Sequence, residues 1–587
     1  MTRTASPTPA RARSAVPRGL PWWIAVPAAA LGGFLFDLAN PGAAIWPLVF
    51  PAVFLILASW WQQRVRVAIL AGVAAGATFW LSHLSWLTLY LGPVPWLGLA
   101  GVMTAWFALQ GAATAAATSG IAVLGERFPA LPRLAPALAQ ALAAAGIWVL
   151  REGVQGNWPY DGFAWARVAH VFADSPLGAL VSWVGFAGLS GLMVFAVALV
   201  VAAGARVRRE AAGGAGDRGA GIRGSGIRGA GIRGAGIRGA AVSGSVAALA
   251  AAAVMFGLAF VPPAALAQTG SLRVAAVQGN SKSAIFDDRE SGDVYADHVR
   301  GTEDLIDGLE AAGDSVDVIV WPENSAEFAL LDNPLRGREI ALLSKRAGAP
   351  IIVGSILANE DGTYTNSSLV WGEEGLEESV AGTRYDKRFP VPFAEYMPNR
   401  SFFHALAPDL VDLVQLEYEH GQLAPVHGFP ALGREVVAGV AICFDIIFDD
   451  QARRMVDGGA EVIFAPTNNA DFGRTDESVQ QLQIARLRAI ETGRALVNIS
   501  TVGTSRIIAP DGRDLDGLEP FTRAAMVASV PLVEGKTPAL QYGALVSTLW
   551  MVLGAAGVIG GSATLIRRRR ADELAKQPSE QSSEQSS

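Results

Sequence analysis

One cysteine and six histidines in 587 residues narrow the chemistry before any pattern is sought. A lone cysteine forms no internal disulfide, so this is not a disulfide-stapled scaffold, and Cys443 needs another explanation. The histidines are scattered without the spacing of a metal-ligand set, and no metal or other cofactor is expected. Charged residues are also sparse, 17% of the chain against 51% hydrophobic, which is too apolar for an ordinary soluble protein. A net charge of -7 offers no basic surface for a phosphate backbone, so nucleic acid is not an expected partner.

The apolar excess is concentrated in runs almost free of charge. A membrane span needs about 20 apolar residues. Eight such runs are present, at residues 21–38, 43–61, 67–91, 95–123, 136–151, 178–206, 241–262 and 541–566. Arg3, Arg11, Arg13 and Arg18 precede the first, Arg64 and Arg66 follow the second, Arg127 and Arg133 the fourth, and Arg206, Arg208 and Arg209 the sixth. With Arg567 to Arg570 after the last, all of these fall on one side of an eight-span count, and basic loops mark the cytoplasmic side. An Arg-rich start before an apolar run also fits a cleaved signal peptide. Cleavage would leave an odd count, so an intact anchor is the simpler reading.

The expected organisation is therefore a basic cytoplasmic N-terminus (1–20), a six-span bundle (21–206), a linker (207–240), a seventh span (241–262), an extracytoplasmic domain (271–535), an eighth span (541–566) and a cytoplasmic tail (567–587). In the linker Gly-Ile-Arg-Gly recurs every five residues, placing Arg223, Arg228, Arg233 and Arg238 in a Gly-rich stretch that cannot pack a core. A flexible basic linker on anionic headgroups fits it. RNA binding would call for interleaved aromatics, which it lacks. The end of the tail, 581–587, is polar and expected to be disordered.

From residue 272 short β-branched runs alternate with helical stretches. Strands are expected at 272–277, 318–321, 351–353, 436–442 and 462–465, and helices at 298–312, 336–346, 447–457 and 476–493. That alternation is the pattern of an α/β fold, whose functional residues gather beyond the carboxyl ends of strands. Glu323 follows the second expected strand in Trp-Pro-Glu-Asn-Ser. Lys387 comes 64 residues later in Tyr-Asp-Lys-Arg-Phe-Pro-Val-Pro-Phe-Ala-Glu-Tyr, and Cys443 a further 56 on, in Val-Ala-Ile-Cys-Phe-Asp. A thiol needs a base to become a nucleophile and a carboxylate can serve. A nearby ammonium favours both the thiolate and a later oxyanion. A strand-to-helix turn at Cys443 would add the Phe444 N–H as an oxyanion donor. Singly each residue has an ordinary explanation, as a buried small hydrophobe, a helix cap or a surface charge. Together they form a working set.

These motifs, with Ala-Pro-Thr-Asn-Asn-Ala at 465–470, resemble the nitrilase superfamily, which carries a Glu-Lys-Cys triad on an αββα sandwich. With eight spans around them the chain resembles the apolipoprotein N-acyltransferase family from about 21 to 566. Val277-Gln278-Gly279-Asn280, a Tyr-Asn-Ser turn at 364–368, the loop at 151–165 and the Gln-Ile-Ala-Arg-Leu-Arg-Ala run at 483–489 agree with that family. Two features depart from it. Phe444-Asp445 stands where many relatives have Tyr-Glu, leaving those side chains' contributions open but not the backbone donor, and no appended glycosyltransferase domain is expected, although some relatives in high-GC bacteria have one.

The resemblance implies Glu323, Lys387 and Cys443 as catalytic residues, with Glu395, Phe444 and Asp445 as accessory or substrate-positioning residues. It further implies a phospholipid acyl donor, a diacylglyceryl apolipoprotein acceptor, a thioester intermediate, and a monomer spanning the bacterial inner (plasma) membrane. The Pro- and aromatic-rich stretch 389–403 suits a lid dipping into lipid or a packed loop. Two rivals are weaker. A membrane-tethered amidase with the same triad would need only one anchor, and a transporter would need paired buried charges, which the spans before 206 are expected to lack.

Overall fold

The computed structural model describes residues 19–128, 132, 134–219, 249–281, 284, 288, 290–377, 380 and 382–574. Arg3, Arg11, Arg13, Arg18, Arg133, the Gly-Ile-Arg repeat and the tail at 581–587 lie outside the described residues.

Among the described residues, six helices are long and apolar enough to cross a membrane: Trp22–Ala39, Val65–His83, Pro93–Arg127, Ala135–Gln155, Pro176–Arg209 and Pro538–Leu574. The expected second and seventh spans coincide with the shorter apolar helices Trp46–Trp60 and Leu249–Leu258. Lipid offers little drive for two apolar helices to separate from it, so close backbone approach does the packing. The last helix uses this twice. Gly554 lies on the backbone of Gly146, and Gly561 on that of Gly120, so a Cβ at any of the four would strike main chain. Trp60, Phe79, Trp80, Phe107 and Trp148 fill the middle of the bundle and are fully buried.

One expectation about the bundle is corrected. Arg151 and Glu152 are both buried, with Arg151 Nη2 3.7 Å from Glu152 Oε1. They sit in the last turn of Ala135–Gln155 and serve the fold. Arg151 donates to Gln110 (3.1 Å) and Gln155 (2.6 Å), and Glu152 accepts from Trp148 Nε1 (3.0 Å) and from the Val168 N–H (3.0 Å). The pair ties down the loop that follows the helix, an end-of-helix position rather than a mid-membrane path.

The α/β domain is two sheets face to face. The first runs in the order Ala524–Glu534, Ala267–Gln278, Val318–Val320, Ile351–Ala358, Tyr364–Gly372 and Gly375–Leu376, with Arg384–Asp386 also paired to Tyr364–Gly372. The second is Asp514–Leu518, Ser505–Ile508, Leu496–Ser500, Val462–Thr467, Arg434–Val440 and Val426–Ala431. Side chains alternate across a strand, and the cores follow that period. Val274 and Ala276 enter the layer between the sheets with Val436, Phe464 and Val497. Ala275 and Val277 face outward onto Val299, Ile306 and Ile340 of the helices Asp293–Ala312 and Pro334–Ala347. Helices Asp449–Asp457 and Glu477–Thr492 cover the second sheet, completing the αββα sandwich.

The five expected strands and four expected helices all form. Residues 364–368, expected as a turn, are instead the start of the strand Tyr364–Gly372. Its polar run Thr-Asn-Ser-Ser hides the strand because those side chains are buried against partners of their own, Ser367 Oγ on Asp386 (2.6 Å) among them.

The second sheet's helices share one continuous apolar cluster with the membrane bundle, in which Phe172, Leu177 and Val181 meet Ile447, Leu482 and Leu487. Polar links reinforce it. Trp86 (3.2 Å) and Trp165 (2.8 Å) donate to Gln480 Oε1, and Gln483 donates to Asp174 (2.6 Å). At the opposite end of the bundle Arg568 lies 4.0 Å from Glu126, and Gln63, next to Arg64, donates to the Leu20 carbonyl (2.7 Å). The domain thus rests on one end of the bundle and the basic loops belong to the other.

Candidate active site

Three strand ends converge. Glu323 follows Val318–Val320 through Pro322, in a turn where Asn324 takes a positive φ of 56°. The turn lies so close on the neighbouring strand that Gly354 must lack a Cβ, which would press on Pro322 O and Asn324 N. Lys387 directly follows Arg384–Asp386. Cys443 leaves Arg434–Val440 with φ 49° and opens the short helical turn Cys443–Ile447, a strained elbow of the kind that presents a nucleophile.

The charged half of the site is a closed cluster. Lys387 Nζ donates to Glu323 Oε1 (2.9 Å) and to Glu395 (3.0 Å), and Asn366 Nδ2 bridges the same two carboxylates (2.7 and 3.1 Å). Glu395 is further fixed by the Val391 N–H (2.7 Å). One ammonium cannot neutralise two carboxylates, the buried Glu323 and the partly buried Glu395. Burial, with Glu395 adding and Lys387 opposing, pushes Glu323 above the usual carboxylate range. Burial alone would lower Lys387, but Glu323 and Glu395 outweigh it and hold the ammonium charged. The Cys443 thiol is pushed up by burial and then by Glu323, with Lys387 opposing. The resting site is therefore a neutral thiol beside a charged lysine and an unusually basic carboxylate, which suits proton abstraction from sulfur.

The accessory residues separate. Glu395 joins the cluster directly. Asp445 does not touch it. Its carboxylate accepts from Tyr385 Oη (2.8 Å), the Phe389 N–H (2.9 Å) and the Ile442 N–H (3.1 Å), so it clamps the cysteine elbow to the lysine loop. Burial raises it to about 6. The Phe444 ring stacks towards Phe163 of the bundle at 6.3 Å. In the 389–403 stretch Phe389 stacks on Phe448 (4.0 Å), while Phe393, Asn399 and Phe403 engage Tyr160 of the membrane loop and Phe402 stays exposed. The stretch is packed at its base and open at its tip.

Sequence reasoning passed over Asn366, Tyr385, Thr467, Asn469, Glu477 and Gln481. Asn366 and Asn469 lay inside motifs already singled out. Glu477 and Gln481 sit in an ordinary amphipathic helix, with no local signal to mark them.

The comparisons with known proteins match this architecture in two parts. Residues 273–536 match the family described as carbon-nitrogen hydrolase, and residues 32–199 the apolipoprotein N-acyltransferase N-terminal domain. The apolipoprotein N-acyltransferase of Azotobacter vinelandii is 28% identical over 95% of this chain and 98% of its own length. That of Mycolicibacterium smegmatis is 32% identical over 49% of this chain, an alignment spanning only 48% of that protein. Among solved structures, Saccharomyces cerevisiae Nit3, a member of branch 10 of the nitrilase superfamily, matches with a TM-score of 0.32 and 16% identity, over 48% of this chain and 95% of that one.

An α/β sandwich of the carbon-nitrogen hydrolase family, carried on a bundle of membrane-length helices, defines a multi-pass membrane enzyme of the nitrilase superfamily. Within that class the chain belongs to the apolipoprotein N-acyltransferase family and is an acyltransferase.

Proposed function

We propose that Cys443 carries a fatty acyl group as a thioester, taking it from a phospholipid and passing it to the α-amino group of an N-terminal diacylglyceryl-cysteine. The observation that carries this reading is the buried contact of Lys387 with Glu323 and Glu395 beside the Cys443 elbow, on a domain resting at the end of a membrane bundle. Both substrates have acyl chains in the bilayer, and a catalytic domain seated there meets them at the membrane surface.

In the first step Glu323 takes the Cys443 proton and the sulfur attacks the ester carbonyl carbon. Lys387 and the Phe444 N–H hold the oxyanion. The carbon–oxygen bond breaks, Glu323 returns the proton to the departing oxygen, and lysophospholipid leaves. In the second step the α-amino nitrogen attacks the thioester while Glu323 accepts its proton. The carbon–sulfur bond breaks, the amide forms and the thiolate is reprotonated. Glu395 keeps Lys387 aimed throughout, and Asp445 and Phe444 hold the elbow. No step calls on a metal or cofactor.

The basic loops at the far end of the bundle argue for a cytoplasmic far end and an extracytoplasmic catalytic domain in the bacterial inner membrane. An epitope inserted in the exposed hairpin at 359–363, accessible in spheroplasts, tests the sidedness. For the chemistry, intact mass is measured after incubation with phospholipid micelles, for wild type and Cys443→Ala, before and after hydroxylamine. An added acyl mass, labile to hydroxylamine and absent from Cys443→Ala, is expected. Unmodified wild type with several lipids, or release of free fatty acid with no transfer to a diacylglyceryl peptide, overturns the reading in favour of hydrolysis.

A further inference from the structure

The far side of the sulfur is built from neutral groups. Gln481, on the helix Glu477–Thr492, points its Nε2 at Cys443 Sγ, 3.6 Å away. Its orientation is fixed. Gln481 Oε1 accepts from Asn469 Nδ2 (2.7 Å) and from Thr467 Oγ1 (3.2 Å), and two donors on one end of an amide require the NH₂ at the other. Asn469 is fixed in the same way. Its Oδ1 accepts from Ser500 Oγ (2.8 Å), whose oxygen accepts from the Gly503 N–H (2.9 Å). Its second N–H goes to Glu477 Oε2 (2.8 Å). Thr467, Asn469, Gln481 and Ser500 are each at most 3% exposed. The result is a one-directional relay, Gly503 to Ser500 to Asn469 to Gln481 to sulfur, in which every donor polarises the next.

We propose that the Gln481 amide is a further catalytic residue, a thiolate donor in addition to Lys387, and that Asn469 and Glu477 are the positioning residues that lock it. The sulfur gains charge when Cys443 loses its proton and again when the thioester is broken. A donor already aimed at it stabilises those states more than the neutral thiol. Glu477, buried against Asn469 and raised to about 8, is itself a neutral anchor at physiological pH, so the relay is not pulled apart by a second negative charge.

The inference deepens the thioester reading but is testable without it, because Cys443 is the chain's single cysteine and any thiol label on the full-length protein reports on it alone. The measurement is the rate of iodoacetamide alkylation in detergent from pH 6 to 9, with thermal unfolding beside it. Gln481→Leu is expected to react about tenfold more slowly across the range, the loss of one hydrogen bond to a charged group. In Gln481→Glu, of the same shape, the deficit grows with pH as the introduced carboxylate ionises against the sulfur, which a purely structural loss would not produce. Glu477→Ala is slowed, and the conservative Glu477→Gln restores the rate. Wild-type rates in both Gln481 variants overturn the proposal. If the Gln481 variants fail to fold, equal rates in Glu477→Ala and wild type overturn it instead. Normal alkylation behaviour without acyl transfer would refute the thioester reading and leave this one standing.

Discussion

The two sheets bring opposite materials to one site. The first contributes Glu323, Asn366 and Lys387, joined by Glu395 from the following loop, a compact cluster with two carboxylates to one ammonium. The second contributes Cys443, Thr467 and Asn469, with Gln481 and Glu477 from its covering helix, a relay of amides and hydroxyls. In the proposed mechanism protons move on the first side, where a surplus carboxylate keeps a base ready. Sulfur is held on the second, where, in the same proposal, a fixed dipole stabilises charge without competing for the proton. The supports differ as well. The first sheet's helices lie away from the bundle, whereas the second sheet's helices share the bundle's apolar cluster, so Cys443, the proposed nucleophile, stands on the half of the domain fused to the membrane region.

The comparison breaks most severely at Lys387. Lys387→Met leaves Glu323 and Glu395 facing each other without a counter-charge, and removing one partner of a buried pair costs about 3–5 kcal/mol. A large drop in unfolding temperature together with lost acyl transfer is expected, and unchanged stability would refute the cluster as drawn. Glu323→Gln should separate those two effects. It removes the proposed proton acceptor, so transfer to a diacylglyceryl peptide is expected to fall about 10³-fold. It also removes the surplus carboxylate, so the unfolding temperature holds or rises.

On the second side the largest expected effect lies behind the elbow. Asp449 accepts two bonds from Arg167 of the membrane loop (3.0 and 2.8 Å) and one from Arg488 (2.7 Å), and Arg488 also donates to the Ile446 and Ile447 carbonyls of the cysteine turn. Burial works against the carboxylate, but the two guanidinium groups hold it far below its usual range. A depressed carboxyl contributes stability above its unfolded value and loses it as pH falls through the folded one. Asp449→Asn, at a site where the side chain is a third exposed, is expected to cost about 2 kcal/mol at pH 7 and to differ less from wild type under strongly acid conditions. Thermal unfolding in detergent at pH 7 and pH 3 reads both values. A difference that does not shrink in acid would place the cost elsewhere.

The charged side was the legible one. Trp-Pro-Glu-Asn, the lysine loop with Glu395, and Ile-Cys-Phe-Asp stand at strand ends, where a change of hydrophobic period marks both fold and site. The relay was not legible, because Gln481 and Glu477 obey a helical pattern that any surface helix would show, and only the fold turns that face inward. Tyr364–Gly372 was hidden for the same reason. Its Thr-Asn-Ser-Ser run reads as a loop until Ser367 and Asn366 are found paired in the core. Arg151 and Glu152 were misjudged because hydropathy counts charge but not the end-of-helix position at which it is satisfied.

The finest test of the contrast is the pH dependence of Glu477. Its folded-state value, raised by burial to about 8, lies above the ordinary 4.5, so between those pH values the folded protein keeps a proton that the unfolded chain has released. Stability from this group is therefore fully present below about 4.5 and declines as pH rises towards 8, by at most about 1.4 kcal/mol per pH unit. Glu477→Gln keeps the acceptor for Asn469 and cannot titrate. Its unfolding temperature should match wild type in acid and exceed it progressively from pH 5 to pH 8. Parallel curves would mean that Glu477 is ionised in the folded protein. The second side would then carry a fixed charge next to the sulfur, and the division between a charged half and a neutral half would fall.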